Sequence, residues 1–545
     1  RQAEMRGLKT ARYNLETTDI PIMSGHGEAD TVALKRWAIP SGGVAVGTEL
    51  LEHMSERAML SILERAGLFY EAAIWAVPND CLGPGVEPQH QRQFTALSFL
   101  TLLRKHWKHC RVECIEPTEE WTGRYLIGVC GKLAEKAFRL SVAFPVKNEA
   151  SDLERVLCTF RGVADEIILG IDSESTDETE KIARKYAEDV FPFTWENSFA
   201  KARNVCIERA SGDWILTSEG HMHLESGHEF LLNLQEIPGG VGVLEPTIET
   251  RQNAWRLPYL FRNSPEHRFY RDVHNALEYG KADAWPVPQI VLWHERDVQN
   301  AKERFSQRRY MNRKRLMEAL LKNPKDGRNL FYLASEWSAN GDRKRSIQCY
   351  ERFLAQSRRG SPFSYQSRLA LANHYMMEND PKKAYDTLIV ASRDDWSRTE
   401  HWLKLGDICF MMAEKQRDDL GVGMYERAMR FFQCAAQGLG QQPASFLWID
   451  KDVYTYLPAQ RLVSVYCALG LKEDALAWAE EVADLMPEWV SDAVLDEARA
   501  NLAQIKEWIN GQGQECVEQD SGAPEQVSSA QCDESAPGDL CERPH

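Results

Sequence analysis

Between residues 139 and 218, short runs that read as buried strands alternate with amphipathic helices, and nothing else in the chain restricts its fold so far. "RLSVAFPV" reads as a short buried strand, "EASDLERVLCTFRGV" as an amphipathic helix, "DEIILGID" as a second strand, "DETEKIARKYA" as a second helix and "GDWILTS" as a further strand. Strands alternating with helices of this length require a mainly parallel sheet covered on both faces. In such sheets ligands lie at the carboxyl ends of the strands, which is where "KNEA", "DSESTDE" and "SEGHMH" fall.

A chain of 545 residues exceeds one ordinary core, so about two to four domains are expected. Residues 1–138 hold strand-like "EAAIWAVPND" and "RYLIGVCG" around a helix-like "QFTALSFLTLLRKHWKHC", a small α/β region expected to pack on the domain that follows. From 326 to 508 the pattern becomes helical and repetitive. Leu333, Ala334, Trp337, Gly341 and Tyr350 recur in spacing as Leu371, Ala372, Tyr375, Asn379 and Leu388. The series returns at Trp402, Leu405, Gly406, Ala428, Phe432 and Ala435, then at Leu462, Tyr466, Gly470, Ala475, Val482 and Pro487. A period of about 34 residues with small residues where helices cross predicts a tetratricopeptide-type array of about four helix pairs. Residues 509–545 are acidic, polar and rich in Ser, Gly and Pro, and read as a disordered tail.

A net charge of −16 argues against a protein whose main task is coating nucleic acid. Thirteen cysteines scattered without a CxxC pair read as reduced thiols of a cytoplasmic protein rather than a zinc site. No run reaches the roughly 18 apolar residues of a membrane span, and the first residues lack the apolar core of a signal peptide.

"SVAFPVKNEASDLERVLCTFRGVADEIILGIDSESTDETEKIARKYA", followed by "WENSFAKARNVCIERASGDWIL", resembles the donor half of a family 2 glycosyltransferase of the GT-A fold, over about residues 139 to 297. Joined to tetratricopeptide repeats, it is similar to a recurring bacterial and phage architecture. The resemblance implies an α/β GT-A domain with a Rossmann-like mixed sheet over 139–300, then an all-α solenoid. It also implies a nucleotide-sugar donor, a UDP-sugar above others, and a divalent metal. It places Pro145, Lys147, Asn148 and Glu149 of "PVKNE" at the nucleobase and ribose, with Asp172 beside them, while Asp177 reads as a helix cap. Arg203 and Asn204 match the family's Arg-Asn pair, where an Arg can fork onto a nucleotide or a carboxylate.

Members of that family usually carry two aspartates where this chain has Glu219 and His221. Carboxylate oxygen and imidazole nitrogen both ligate manganese-like ions, so this loop favours Mn2+ over Mg2+. By analogy with polypeptide N-acetylgalactosaminyltransferases, which use Asp-x-His here, His221 is a ligand and Glu219 touches the ribose or the metal. In an extended segment His223 would share their face. Val273 and His274 match the first two residues of the family's Val-His-Glu, making His274 the expected third ligand. Asn275 stands where the Glu would be and cannot take a proton, which leaves Asp272 and Glu245 as candidate bases. His294 in "IVLWHERD" matches another family His and reads equally as a site residue or a core histidine.

Residues 301–325 form a basic amphipathic helix between the two parts. Its Arg308, Arg309, Arg313 and Arg315 read as a solvated face or as a dock for a polyanionic acceptor such as DNA. The resulting expectation is a metal-dependent, inverting hexosyl or N-acetylhexosaminyl transferase acting on a peptide, a polysaccharide or a hydroxymethylated DNA base. The rival is an inactive transferase-fold scaffold that binds partners through its repeats.

Overall fold

The computed structural model describes residues 44–48, 51–78, 93–115, 125–294, 301–357, 360–416, 419–441, 448–487 and 489–511. The acidic tail expected from 509 lies, from 512 on, outside the described residues. Among the described residues no helix is long and apolar enough to cross a membrane, and every cysteine is a free thiol.

The chain divides into two compact units, the first running to Thr247 and resuming at Pro258, the second holding Ile248–Leu257 and the chain from Arg296. The first unit begins with β1 (Val44–Thr48), α1 (Glu56–Phe69), β2 (Ala72–Pro78), α2 (Ala96–Leu103), β3 (Cys110–Ile115) and β4 (Tyr125–Gly131). These strands form a sheet in the order β1-β2-β4-β3, with β1 parallel to β2 and the other pairs antiparallel. Ser55 and Thr95 cap the two helices by accepting from Ala58 N and Ser98 N. Gly128 lets α2 lie close, since a Cβ there would collide with Leu103 and Phe99. Arg104, just past α2, ties this layer to the next by donating to the Asp165 carbonyl at 2.7 Å and to Glu188 at 3.2 Å.

The second sheet starts with β5 (Leu140–Val146), α3 (Leu153–Arg161), β6 (Glu166–Asp172), α4 (Thr179–Tyr186), β7 (Asp189–Phe193), α5 (Phe199–Ile207) and β8 (Trp214–Leu216). Strands β8, β5, β6 and β7 lie side by side and parallel. Leu140 to Phe144 and Ile167 to Leu169 are buried without alternation, as strands covered on both faces must be. There follow β9 (Met222–Ser226), α6 (His228–Leu231), β10 (Val241–Glu249), β11 (Asn253–Arg256), β12 (Leu260–Arg262), β13 (Arg268–Tyr270), β14 (Ala276–Glu278) and β15 (Asp283–His294). Here β12 runs antiparallel to β8, β10 antiparallel to β12, and β15 pairs with both β10 and β9, so the sheet is mixed.

The second unit is helical apart from β11, which pairs with β16 (Ile449–Asp450). It contains α7 (Ala301–Lys322), α8 (Gly327–Ala339), α9 (Arg343–Leu354), α10 (Pro362–Met377), α11 (Pro381–Asp394), α12 (Glu400–Glu414) and α13 (Asp419–Ala436), then α14 (Leu457–Ala468), α15 (Lys472–Leu485) and α16 (Asp492–Ile509). Asp326, Asp342, Ser361 and Asp380 cap successive helices. Gly341, Asn379 and Gly470 take positive φ at the turns, and Gly406 leaves room for the Phe432 ring where α12 crosses α13. The basic face expected on α7 is partly buried: Arg313 is 8% exposed with its guanidinium 5.3 Å from the Trp337 ring, and Asn312 donates to Glu336. Arg313 therefore packs α7 onto α8, a role that its position in a basic run hid.

Candidate functional site

Strand β8 ends at Leu216, and Thr217 and Ser218 continue it into the sheet edge, both fully buried. The chain then turns: Met222 N donates to the Glu219 carbonyl at 3.0 Å, and the Ser218 hydroxyl to the Met222 carbonyl at 3.0 Å. The turn carries Glu219 and His221 on its inner side. Strand β9 leaves it antiparallel to β15, in a register that sets Met222 opposite His294. Two histidines 73 residues apart thus meet, with Nε2 of His221 3.1 Å from Nε2 of His294 and the rings edge to face.

The third group is Glu219, whose Oε2 lies 3.3 Å from Nε2 of His221 and 4.0 Å from Nε2 of His294. Ligand atoms of these three side chains all lie within 4.8 Å of one another, and both histidines are buried. Two imidazole nitrogens and one carboxylate oxygen facing a common point are a donor set that fits a divalent cation. Arg203 holds the carboxylate from behind, donating to Glu219 Oε1 at 2.9 Å. Burial alone would push the Glu219 carboxyl up, but its neighbours His221, Arg203 and His294 hold it well below the usual carboxylate range.

The structure thus brings Glu219, His221 and His294 together and does not include His274, the expected third ligand, in that group. His274 sits at φ +47° in the loop between β13 and β14, where the backbone rather than the sheet sets its direction. His223 also turns elsewhere: because 219–222 is a turn and not an extended segment, its ring contacts Arg155 at 2.7 Å and Glu225 at 3.0 Å. Arg203, expected at the nucleotide, is 4% exposed and occupied by Thr217, the Ser218 carbonyl, Glu219 and the Tyr259 hydroxyl. Asn204 donates to the Phe269 carbonyl and accepts from Phe269 N, pinning β13 to α5.

At the neighbouring strand ends, Lys147 spans Asp172 at 3.1 Å and Glu174 at 2.6 Å. Asp172 is 3% exposed and also accepts from Glu174 N, so its carboxylate lies beneath Lys147. Pro145 faces Gly170 across β5 and β6, and Asn148, at φ +52°, accepts from Thr176 N. Asp177, expected as a helix cap, stands one residue before the Glu178 N-cap of α4 and accepts from Thr179 N, from the Thr179 hydroxyl and from Ala150 N, fastening the 147–150 loop to α4. Of the candidate bases, Asp272 is exposed, with its carbonyl accepting from Phe199 N at the start of α5, whereas Glu245 is 7% exposed in β10, one residue beyond the Leu244–Leu260 pair.

Residues 141–227 match the family model described as glycosyl transferase family 2. The chain carries a family 2 glycosyltransferase domain. The matched segment holds Glu149, Asp172, Arg203, Glu219 and His221, while His294, Asp272 and Glu245 lie beyond it. Members of family 2 typically use a divalent metal and a nucleotide-sugar donor. A tetratricopeptide repeat-containing protein of Synechococcus elongatus is 28% identical over 268 residues, 46% of this chain and 64% of that protein, so the chain spans less than two thirds of that relative. Among solved structures, MamA is 14% identical, with 39% of this chain and 99% of MamA covered, at a TM-score of 0.25. A thermophilic tetratricopeptide repeat protein of Thermus thermophilus is 17% identical, with 37% and 93% covered, at a TM-score of 0.25.

Proposed function

We propose that the protein is an inverting, metal-dependent glycosyltransferase that moves a hexosyl or N-acetylhexosaminyl group from a UDP-sugar to an acceptor hydroxyl. The observation that carries this reading is the convergence of Glu219, His221 and His294 at the carboxyl end of β8, the edge where such sheets bind ligands. These three residues would hold the divalent ion, Mn2+ in preference to Mg2+ because two of the three donors are imidazoles. When bound, the ion supplies positive charge against which a diphosphate leaves.

The other residues bind and orient. Lys147, Asn148 and Asp172 line the strand ends where the nucleoside would lie, and Lys147 offsets part of the negative charge of Asp172 and Glu174 there. Arg203 works on the carboxylate of Glu219 rather than on the donor. Asp272 is our choice for the group that takes the acceptor proton, since its side chain is exposed while that of Glu245, the second candidate, is buried. The repeats would hold the acceptor or a partner. A peptide or polysaccharide suits this better than duplex DNA docked on α7, because Arg313 is buried in packing.

The test is release of free sugar from UDP-sugars with and without Mn2+. The wild-type protein is expected to turn over with Mn2+, His221→Ala to lose that turnover, and Asp272→Asn to lower acceptor-dependent kcat by about 100-fold or more with little change in donor binding. A wild-type protein that binds nucleotide yet turns over no donor with any metal would instead be a partner-binding scaffold.

A further inference from the structure

The family resemblance implies a place for Glu149 beside the nucleobase, but the structure turns its carboxylate toward His221. Glu149 Oε1 lies 3.2 Å from Nδ1 of His221, the ring nitrogen that faces away from Glu219 and His294. We propose that Glu149 is a positioning residue, which accepts the Nδ1 proton of His221 and so keeps the lone pair of Nε2 aimed into the Glu219–His221–His294 cluster. The inference rests on the reading of that cluster as a metal site.

Three observations carry it. A carboxylate has no proton to give, so a hydrogen bond to Glu149 needs an Nδ1–H donor; Glu219 competes for the ring proton at 3.3 Å from Nε2, but a cation held at Nε2 leaves Nδ1 as the nitrogen that carries it, with Glu149 as its acceptor. The alternative tautomer would put a proton between Nε2 and its neighbours at 3.1 Å and 3.3 Å, where it blocks ligation. Gly220 gives the glutamate its path: a Cβ there would stand 2.6 Å from Glu149 Cγ and 2.8 Å from Glu149 Cβ, so the side chain runs directly against the backbone of the metal loop. The backbone of Glu149 is itself held, its N donating to the Thr179 hydroxyl at 2.8 Å and its carbonyl accepting from Leu153 N at 2.9 Å. A carboxylate behind a ligating histidine fixes ring orientation and tautomer, and its loss typically lowers metal affinity by about 10- to 100-fold. Exchanging a metal-loop carboxylate for His221 thus has a structural counterpart, because only an imidazole offers a second nitrogen for Glu149 to hold.

The experiment uses the full chain labelled with 15N-histidine, metal-free at pH 8, with the His221 signals assigned by their loss in His221→Gln. We expect the proton on Nδ1 in the wild-type protein, and a shift toward the Nε2 tautomer in Glu149→Ala. Mn2+ titration should then show about 10-fold or more weakening in Glu149→Ala and in Gly220→Ala, which displaces the glutamate without removing it, with a smaller loss in Glu149→Gln, whose amide oxygen still accepts. A residue that merely stabilised the fold would lower the melting temperature without moving the tautomer. A wild-type His221 protonated on Nε2, or Mn2+ binding unchanged in Glu149→Ala, overturns the role of Glu149 and leaves the metal site standing. A wild-type protein that takes up no Mn2+ overturns both.

Discussion

Arg203 decides how well the cluster is ordered. Its guanidinium is buried against the rings of Tyr259 and Phe269, at 4.8 Å and 5.4 Å, and one of its nitrogens joins Glu219 Oε1 to the Tyr259 hydroxyl. Removing one member of a buried ion pair leaves the other charge uncompensated, at a cost of about 3 kcal/mol. Arg203→Met is therefore expected to lower unfolding free energy by about that amount in urea and to weaken Mn2+ binding, because Glu219 loses its restraint. Lys201, exposed and paired only at the surface with Glu196, provides the contrast: Lys201→Met should stay within about 0.5 kcal/mol of the parent. The Arg-Asn pair was legible in the sequence as a landmark at the start of a helix, but its use was not. Which carboxylate an arginine meets depends on the turn at 219–222 and on β12 bringing Tyr259 alongside, neither of which has a local signature.

At the scale of elements, the parallel strands and their helices were legible because short, mostly apolar runs such as "LSVAF" and "IILGI", alternating with amphipathic helices, suit strands buried on both faces. The place of His294 was less so. His294 closes β15, and only the antiparallel register with β9 turns it toward His221; a one-residue slip would have presented Trp293 instead. In the helical repeats, spacing exposed the turns and crossings, yet it hid the buried polar groups. His401 on α12 is fully buried with Nδ1 3.0 Å from the Tyr365 hydroxyl, and His374 on α10 lies 2.9 Å from the Ser346 hydroxyl. Burial pushes both down to about 4, with the carboxylates of Glu400 and Asp395 opposing the fall at His401. The folded state thus favours neutral rings, and stability is lost as pH falls from about 6.5 toward 4 while the unfolded chain takes up protons, about 2 kcal/mol per histidine at pH 5. The Asp450 carboxyl, pushed up to about 6 by burial and by Asp452, acts in the opposite sense below pH 6. The measurement is therefore a difference: between pH 7 and pH 5 the urea midpoint of His401→Gln should fall less than that of the parent. An equal fall would show that His401 is not held neutral.

For the whole molecule, the division into two compact units has a thermodynamic consequence. Ligand binding stabilises the folded form of the unit that holds the site, so Mn2+ is expected to raise the transition of the unit containing Glu219, His221 and His294 and to leave that of the repeats in place. Scanning calorimetry with and without Mn2+ checks this, and an equal rise in every transition would contradict it. The family match ends at residue 227, so the donor half was recognisable by its motifs, while His294 lay 67 residues further on, in "IVLWHERD", where the resemblance left site and core readings equally open. The most direct test of the account is the Mn2+ dissociation constant of the wild-type protein beside those of His294→Ala and His274→Ala. A metal centre built from Glu219, His221 and His294 predicts that His294→Ala abolishes tight binding and His274→Ala retains it; retention by His294→Ala with loss in His274→Ala would contradict it.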